Sequence, residues 1–309
     1  MEVSVFVPAH ITGFFSIYND ENPLKKGSCG AGVLINKGVI TTIKTNEKKE
    51  KYGKKEKSSI NITINGKKDP KNEIISKETI SLIQREFKFE LNSDININHE
   101  IQIPIGSGFG TSASCALGVS IGLSKLLKLP LTDIEASQFA HIAEVNLGSG
   151  LGDVLSQTSK GIVFRKFPGA PGVGKTEEGI KPQNNGLNDI YVLTKTFGEI
   201  DTSSIIQNPL YSKKINNIGL AMQEKMIVEP TLENFIKLSY EFSKKTGLMN
   251  KEIQDIVEEL NKKTIGSSMA MLGNTVFAFV KKEDIDNIKN LNDFTISKIY
   301  NDGIKIEEY

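Results

Sequence analysis

The 309-residue chain carries 38 Lys and Arg against 37 Asp and Glu, a formal net charge of +1, so no overall field draws it onto nucleic acid or anionic lipid, and any acidic ligand must be met locally. Its length and 38% apolar content suit two packed domains. Two cysteines, Cys29 and Cys115, are too few for a disulfide framework and lack metal-ligand spacing, and no basic-then-apolar stretch follows Met1, so the expectation is a reduced, cytoplasmic setting without a secretory signal.

Ser4 to Pro8 reads as a short strand, and Ala31 to Thr45 as a hairpin broken at Asn36 to Gly38. Residues 44–57 hold seven lysines and three glutamates; the mixed signs favour a solvated hairpin tip over a nucleic-acid patch. Ile60 to Ile64 alternates as a strand, Lys77 to Lys88 has helical periodicity through Ile80, Ile83 and Phe87, and Ile95 to Ile103 returns to strand alternation. From Ile101 to Ser124 run 24 uncharged residues, but thirteen are Gly, Pro, Gln, Ser or Thr, so the stretch divides into strand, glycine loop and a buried helix from Thr111 to Leu127 rather than a membrane span. Thr132 and Glu135 form a capping box opening a helix to about Asn146. After a strand at Ile162 to Phe167, the Gly/Pro/Asn-rich segment Pro168 to Asn188 marks a boundary near residue 185, dividing the chain into 1–185 and 186–309. Beyond it the pattern predicts strand Ile190 to Thr196, helices over Leu210 to Met226, Thr231 to Thr246 and Lys251 to Lys263, strand Val276 to Val280, and a final helix and strand: a second α+β unit.

Thirteen of the 27 glycines fall between Pro104 and Gly179, where the backbone is expected to approach a ligand. Two loops compete for that role. Gly169 to Thr176, GAPGVGKT, satisfies the Walker A pattern, which needs a helix after the loop to face its amides toward phosphates; the Gly/Pro-rich residues after Thr176 cannot build one, so a site-bordering loop or linker is favoured over a P-loop. In the rival, Pro104-Ile-Gly106-Ser107-Gly108-Phe-Gly110-Thr111-Ser112-Ala-Ser114, three glycines let the backbone curl round an anion, and the hydroxyls open a helix whose first amides are unpaired. A tight strand-to-helix turn capped by Ser or Thr is the plain alternative.

Pro104-x-x-x-Gly-Phe-Gly-Thr-Ser-Ala resembles the phosphate loop of the GHMP kinases, Pro8-Ala-His10-Ile-Thr-Gly-Phe-Phe resembles their N-terminal motif, and Gly266 to Phe277 resembles their C-terminal glycine motif. The three occur in the right order and span nearly the whole chain. The N-terminal string, Gly27 to Val33 and Phe164 to Gly172 together look like the archaeal branch that phosphorylates the 4-hydroxyl of pantoate on the way to coenzyme A. The resemblance implies an α+β architecture with a ribosomal protein S5 domain 2-like N-terminal half and a ferredoxin-like C-terminal half. It also implies ATP and Mg²⁺ as cofactors, pantoate as the small-molecule partner, and a homodimer, with neither nucleic acid nor membrane involved.

Site residues follow by carry-over. The phosphate loop, Pro104, Gly106, Ser107, Gly108, Gly110, Thr111, Ser112 and Ser114, would hold ATP. Ser112 and Glu144 would hold Mg²⁺, with Ser114 the rival to Ser112, and Asp153 would take the substrate proton; a Gly/Ser-rich turn could bring Asp153 back beside Glu144. A solvated helix carboxylate and an ordinary turn aspartate are the bland readings of this pair. Only Arg85 and Arg165 are arginines; Arg165, on the strand after Asp153, is the candidate anchor for a substrate carboxylate, since a guanidinium grips one with a fork of donors. His141 shares a helix face with Glu144, His10 stands where mevalonate kinases carry a lysine, and Ser28 sits in a glycine-flanked turn; all three are expected to contact substrate. Cys29 and Cys115 read as small buried residues. A non-catalytic sensor on the same fold is the rival from another class.

Overall fold

The computed structural model describes residues 1–46, 58–88, 93–177, 180, 181, 183, 189–199, 208–288 and 291–309. The lysine-rich hairpin tip at 47–57 and the boundary near 185 lie outside the described residues.

A long hairpin organises the N-terminal half. Strand β1 (Glu2–Tyr18) pairs antiparallel with β2 (Gly27–Asn46), from Glu2 opposite Lys44 to Tyr18 opposite Gly27. The strand expected to stop at Pro8 therefore continues through the whole N-terminal motif, and the expected turn at Asn36 to Gly38 is a bulge, with Pro8 opposite Gly38 and Ala9 opposite Ile35. The second half of β1 escaped strand alternation because both its faces are buried, unlike the alternating Val3, Val5 and Val7.

Strand β3 (Ile60–Ile64) lies parallel to β4 (Asp94–Ile101), which pairs with the second half of β2; β5 (Ile162–Phe167) pairs with the first half, Gly30 opposite Arg165. A three-residue strand, β6 (Lys175–Glu177), adds to β5. Helices α1 (Ile74–Phe87), α2 (Thr111–Leu126) and α3 (Asp133–Leu147) form the layer beside this sheet. Nearly every α2 side chain is buried, so the uncharged run is a core helix; among the described residues no helix is long and apolar enough to cross a membrane. The Thr132 and Glu135 capping box is formed as expected.

A short helix α4 (Asp153–Gln157) precedes β5. The second sheet takes β7 (Ile190–Gly198), β8 (Gly266–Met269), β9 (Asn274–Lys281) and β10 (Thr295–Lys298) in the antiparallel order β10-β7-β9-β8. Helices α5 (Pro209–Val228), α6 (Leu232–Thr246) and α7 (Lys251–Leu260) connect β7 to β8. The expected final helix is two 3₁₀ turns, Lys282–Asn287 and Leu291–Asp293, and β11 (Lys305–Glu308) returns to pair with β1 in the first sheet.

Among the described residues two large apolar cores form, with a small third cluster at Leu34, Val163 and Tyr300. Val3, Val5 and Val7 pack with α1 to α3, whereas Ile11, Phe14 and Phe15 join the core of the second sheet and its helices, with Phe14 against Phe235 and Phe15 against Phe242. His10 lies on β1 between the two sets.

Candidate active site

A cavity of about 780 Å³ opens where the phosphate-loop segment, the turn after α3, β5 and the segment between β8 and β9 meet. Gly106, Ser107, Gly108, Gly110, Thr111 and Ser112 line it. Gly106, Gly108 and Gly110 have φ of +69°, +86° and +65°, and Gly110 caps α2 with no side-chain hydrogen bond, so the Ser/Thr-capped turn is not what forms here. Among the described residues nothing takes up the amide N–H groups of Gly106 to Ser112, which leaves donors at the start of a 16-residue helix for an anion. The C-terminal glycine motif braces this loop from behind. Thr275 Oγ1 donates to Ser107 O at 2.8 Å and a Cβ at Gly273 would overlap the Ser107 carbonyl, while Met271 N ties the same motif to β1 through Thr12 O at 2.8 Å.

Helix α3 ends at Gly148 in the left-handed conformation, and the next four residues fold back over Glu144; a Cβ at Gly150 would collide with the Glu144 carboxylate. Glu144 is buried and lines the cavity, and neither carboxylate oxygen makes a formed hydrogen bond. Burial first, then the nearby Asp153 charge, push its pKa well above the usual carboxylate range, against weaker pulls from the Val154 amide and Arg165. A buried, unpartnered carboxylate facing a cavity calls for a cation. Ser112 faces the same space and donates to Ser149 Oγ at 3.2 Å. One hydroxyl beside one carboxylate fits Mg²⁺, which keeps waters and nucleotide oxygens for its remaining positions.

Asp153, about a quarter exposed, opens α4 against the end of the phosphate loop, where a Cβ on Gly110 would come within 3.1 Å of the Asp153 Cβ. His10 Nδ1 donates to Asp153 Oδ1 at 2.6 Å. Arg165 is 1% exposed yet reaches the cavity wall, donating through Nη1 to Ser156 Oγ at 2.7 Å while its Nε has no partner. Burial lowers the Arg165 pKa, opposed by Asp153, Cys29 and Glu144. Ser28 lies on the same wall, next to Gly152 and the Arg165 guanidinium. A phosphate cradle, an unpaired carboxylate, a part-exposed carboxylate and a guanidinium with a free N–H thus face one space, a set suited to phosphoryl transfer onto a small hydroxy acid.

The GHMP kinases N terminal domain family matches residues 74–161 and the GHMP kinases C terminal family matches residues 224–292. The chain is 39% identical to the pantoate kinase of Methanocaldococcus jannaschii over 92% of its own length and 94% of that protein, and 35% identical to that of Thermococcus kodakarensis over 99% and 98%. The chain belongs to the pantoate kinases of the GHMP kinase superfamily. A solved structure described as a phosphotransferase related to the CoA biosynthesis pathway superposes with a TM-score of 0.86 at 32% identity, covering 100% of this chain and 99% of the other.

Not every residue expected at the site of this GHMP kinase lines its cavity. Ser114 is fully buried, donating to Gly110 O at 3.1 Å and accepting from Gln157 Nε2 at 2.9 Å, so Ser112 is the hydroxyl that faces the cavity. Pro104 is exposed and outside the lining. His141 is not brought to the cavity as a direct contact: its Nε2 donates to Lys26 O at 2.9 Å and Pro23 O at 3.1 Å, fixing the segment that leads into Ser28. His10 is likewise buried behind the wall and bonded to Asp153, and it does not line the cavity. The Walker-like residues 169–176 lie outside the lining and run into β6, not a helix. Cys29 and Cys115 are buried thiols, their pKa values pushed up by burial to about 11 and about 12.

Sequence reasoning missed Thr12, Lys71, Asn72, Glu199, Met271 and Leu272, all on the cavity wall. Thr12 and Met271 fall inside strings already singled out; Lys71 and Glu199, paired at 3.3 Å, are 128 residues apart and carry no local signature.

Proposed function

We propose that this pantoate kinase transfers the γ-phosphoryl group of ATP to the 4-hydroxyl of pantoate, giving 4-phosphopantoate and ADP for coenzyme A biosynthesis, by direct in-line displacement. The observation that carries the reading is the convergence on one cavity of the free loop amides, Glu144, Asp153 and Arg165. The loop amides and the start of α2 would hold the nucleotide phosphates. Ser112 and Glu144 would hold Mg²⁺, which when bound offsets the negative charge of the phosphate oxygens. Arg165, its Nε unpartnered, would grip the pantoate carboxylate beside Ser28, which aims the hydroxyl at Asp153. As the hydroxyl oxygen forms its bond to phosphorus, its proton passes to Asp153 and the bond to the ADP oxygen breaks. A homodimer and a cytoplasmic location belong to the same reading, and sedimentation at working concentration tests the first.

Coupled ADP release measured across pantoate, homoserine, mevalonate and shikimate is expected to show turnover with pantoate far above the rest. Preference for any other of the four would overturn the substrate and leave the kinase. Arg165→Ala is expected to raise KM for pantoate about 10-fold or more, as for a lost charge-assisted contact; an unchanged KM would remove the anchor.

A further inference from the structure

His10 is fully buried among the carboxylate and guanidinium of the site without touching the cavity. Its Nδ1 is 2.6 Å from Asp153 Oδ1, and its Nε2 is 3.5 Å from Arg165 Nη1. The carboxylate at 2.6 Å fixes the ring's proton, and the guanidinium at 3.5 Å agrees with it. A carboxylate only accepts, so Nδ1 carries the hydrogen; a guanidinium only donates, so Nε2 is bare. Burial lowers the His10 pKa against the pull of Asp153, which keeps a second proton off the ring. The ring cannot swing away: a Cβ on Gly32 would already overlap Nε2, and β1 is locked to β2 on that side.

We propose that His10 is a positioning residue for the base, holding Oδ1 of Asp153 through its Nδ1–H so that Oδ2 alone is left for the substrate hydroxyl, while Nε2 ties that carboxylate to the guanidinium expected to anchor the substrate. This rests on Asp153 being the base. Among the described residues no other side chain hydrogen-bonds Asp153, so without His10 its carboxyl could rotate freely in the cavity. Base and anchor come from α4 and β5, and one imidazole from β1 sets the distance between them. Thr12 Oγ1 lies 3.4 Å from the same Nδ1, whose single hydrogen goes to Asp153 at the much shorter 2.6 Å.

The test combines a spectroscopic signature with paired variants. The chain has three histidines, so ring ¹⁵N signals of the intact enzyme can be assigned by loss in His10→Asn. The expected His10 signature is a protonated Nδ1 and a bare Nε2 near neutral pH; a protonated Nε2 with bare Nδ1 overturns the proposal and needs no variant to fold. His10→Asn keeps a donor near the Nδ1 position, whereas His10→Gln places its amide toward Arg165. Gln is expected to lower kcat about 10- to 100-fold, the loss of one hydrogen bond to a charged group, with KM for ATP within about twofold, and Asn to recover most of the loss. Wild-type kcat in the Gln variant overturns the proposal, as does an Asn variant that binds ATP normally yet is as slow as Gln. Asp153→Asn separates the two levels: retained turnover there removes the base itself, whereas a dead Asp153→Asn beside an unaffected His10→Gln removes only the positioning role.

Discussion

Residues 104–111 and 169–176 are alike in composition, and both place glycines at positive φ, +69°, +86° and +65° in the first, +119° and +84° at Gly169 and Gly172 in the second. What separates them is where their amides point. The second loop bonds to itself and its neighbours: Ala170 N donates to Leu24 O, and both Val173 N and Gly174 N donate to Ala170 O, at 2.8 to 2.9 Å. It then enters a three-residue strand. The first leaves its amides free at the head of α2. An anion site is therefore made by unpaired donors before a helix, and a regular spacing of glycine, lysine and threonine does not supply them.

The largest expected effect lies at the foot of the first loop. Asp153→Asn should lower kcat by about 10³-fold, the range for losing a positioned base, while ATP affinity stays within about twofold; single-turnover kinetics and nucleotide titration check it. Normal turnover would detach the chemistry from this loop. Next comes Gly273→Ala, whose new methyl would overlap the Ser107 carbonyl and lie close to Gly108 N, backbone against backbone with no flexible side chain to yield. Shifting the loop by about 1 Å should cost about 100-fold in kcat/KM for ATP. An unchanged value would show that the brace from the β8 to β9 segment does not set the loop.

The first loop was legible because its strand, glycines and helix are contiguous and because α2 carries no charge before Lys125 in its last turn. The return of Asp153 toward Glu144 was legible for a similar reason, a short Gly/Ser-rich turn. The His10 to Asp153 bond joins residues 143 positions apart across a bulged strand, and no spacing in one sequence encodes it. The length of β1 was hidden because Ile11 to Ile17 serve the second core and the first sheet at once, which removes the polar alternate positions a half-buried strand would show. His141 shares a helix face with Glu144, yet its imidazole is tied to the carbonyls of residues 23 and 26, a choice set by tertiary packing.

Acid should loosen the strand that delivers the first loop. His99 on β4 is buried between hydroxyls, Thr41 Oγ1 on Nδ1 and Ser76 Oγ on Nε2, each at 2.9 Å, and burial lowers its pKa from 6.5 to about 4. Between those values the unfolded chain binds the proton and the folded one does not, so stability is full above about pH 6.5 and falls as pH drops toward 4, by about 3 kcal/mol over the window. His10 and His141, also held down by burial, act in the same direction. Urea unfolding at pH 7 and pH 4.5, with His99→Gln for comparison, isolates the His99 share as the part of the slope the variant loses. A variant with the wild-type slope would assign acid sensitivity elsewhere.

The smallest effect is expected in the second loop, where a working P-loop would show one of its largest. Lys175 is exposed, lies 5.5 Å from the Phe167 ring centroid and does not line the cavity. Lys175→Ala removes one surface cation–π contact, worth about 0.5–1 kcal/mol, and no phosphate ligand. Turnover and KM for ATP should stay within about twofold, with a drop of 1 kcal/mol or less in unfolding free energy. A Walker lysine reaches the β and γ phosphate oxygens directly, so losing one would lower turnover by orders of magnitude. A collapse of ATP turnover in this variant would therefore reverse the assignment of the two loops, because Lys175 is not among the residues that line the cavity.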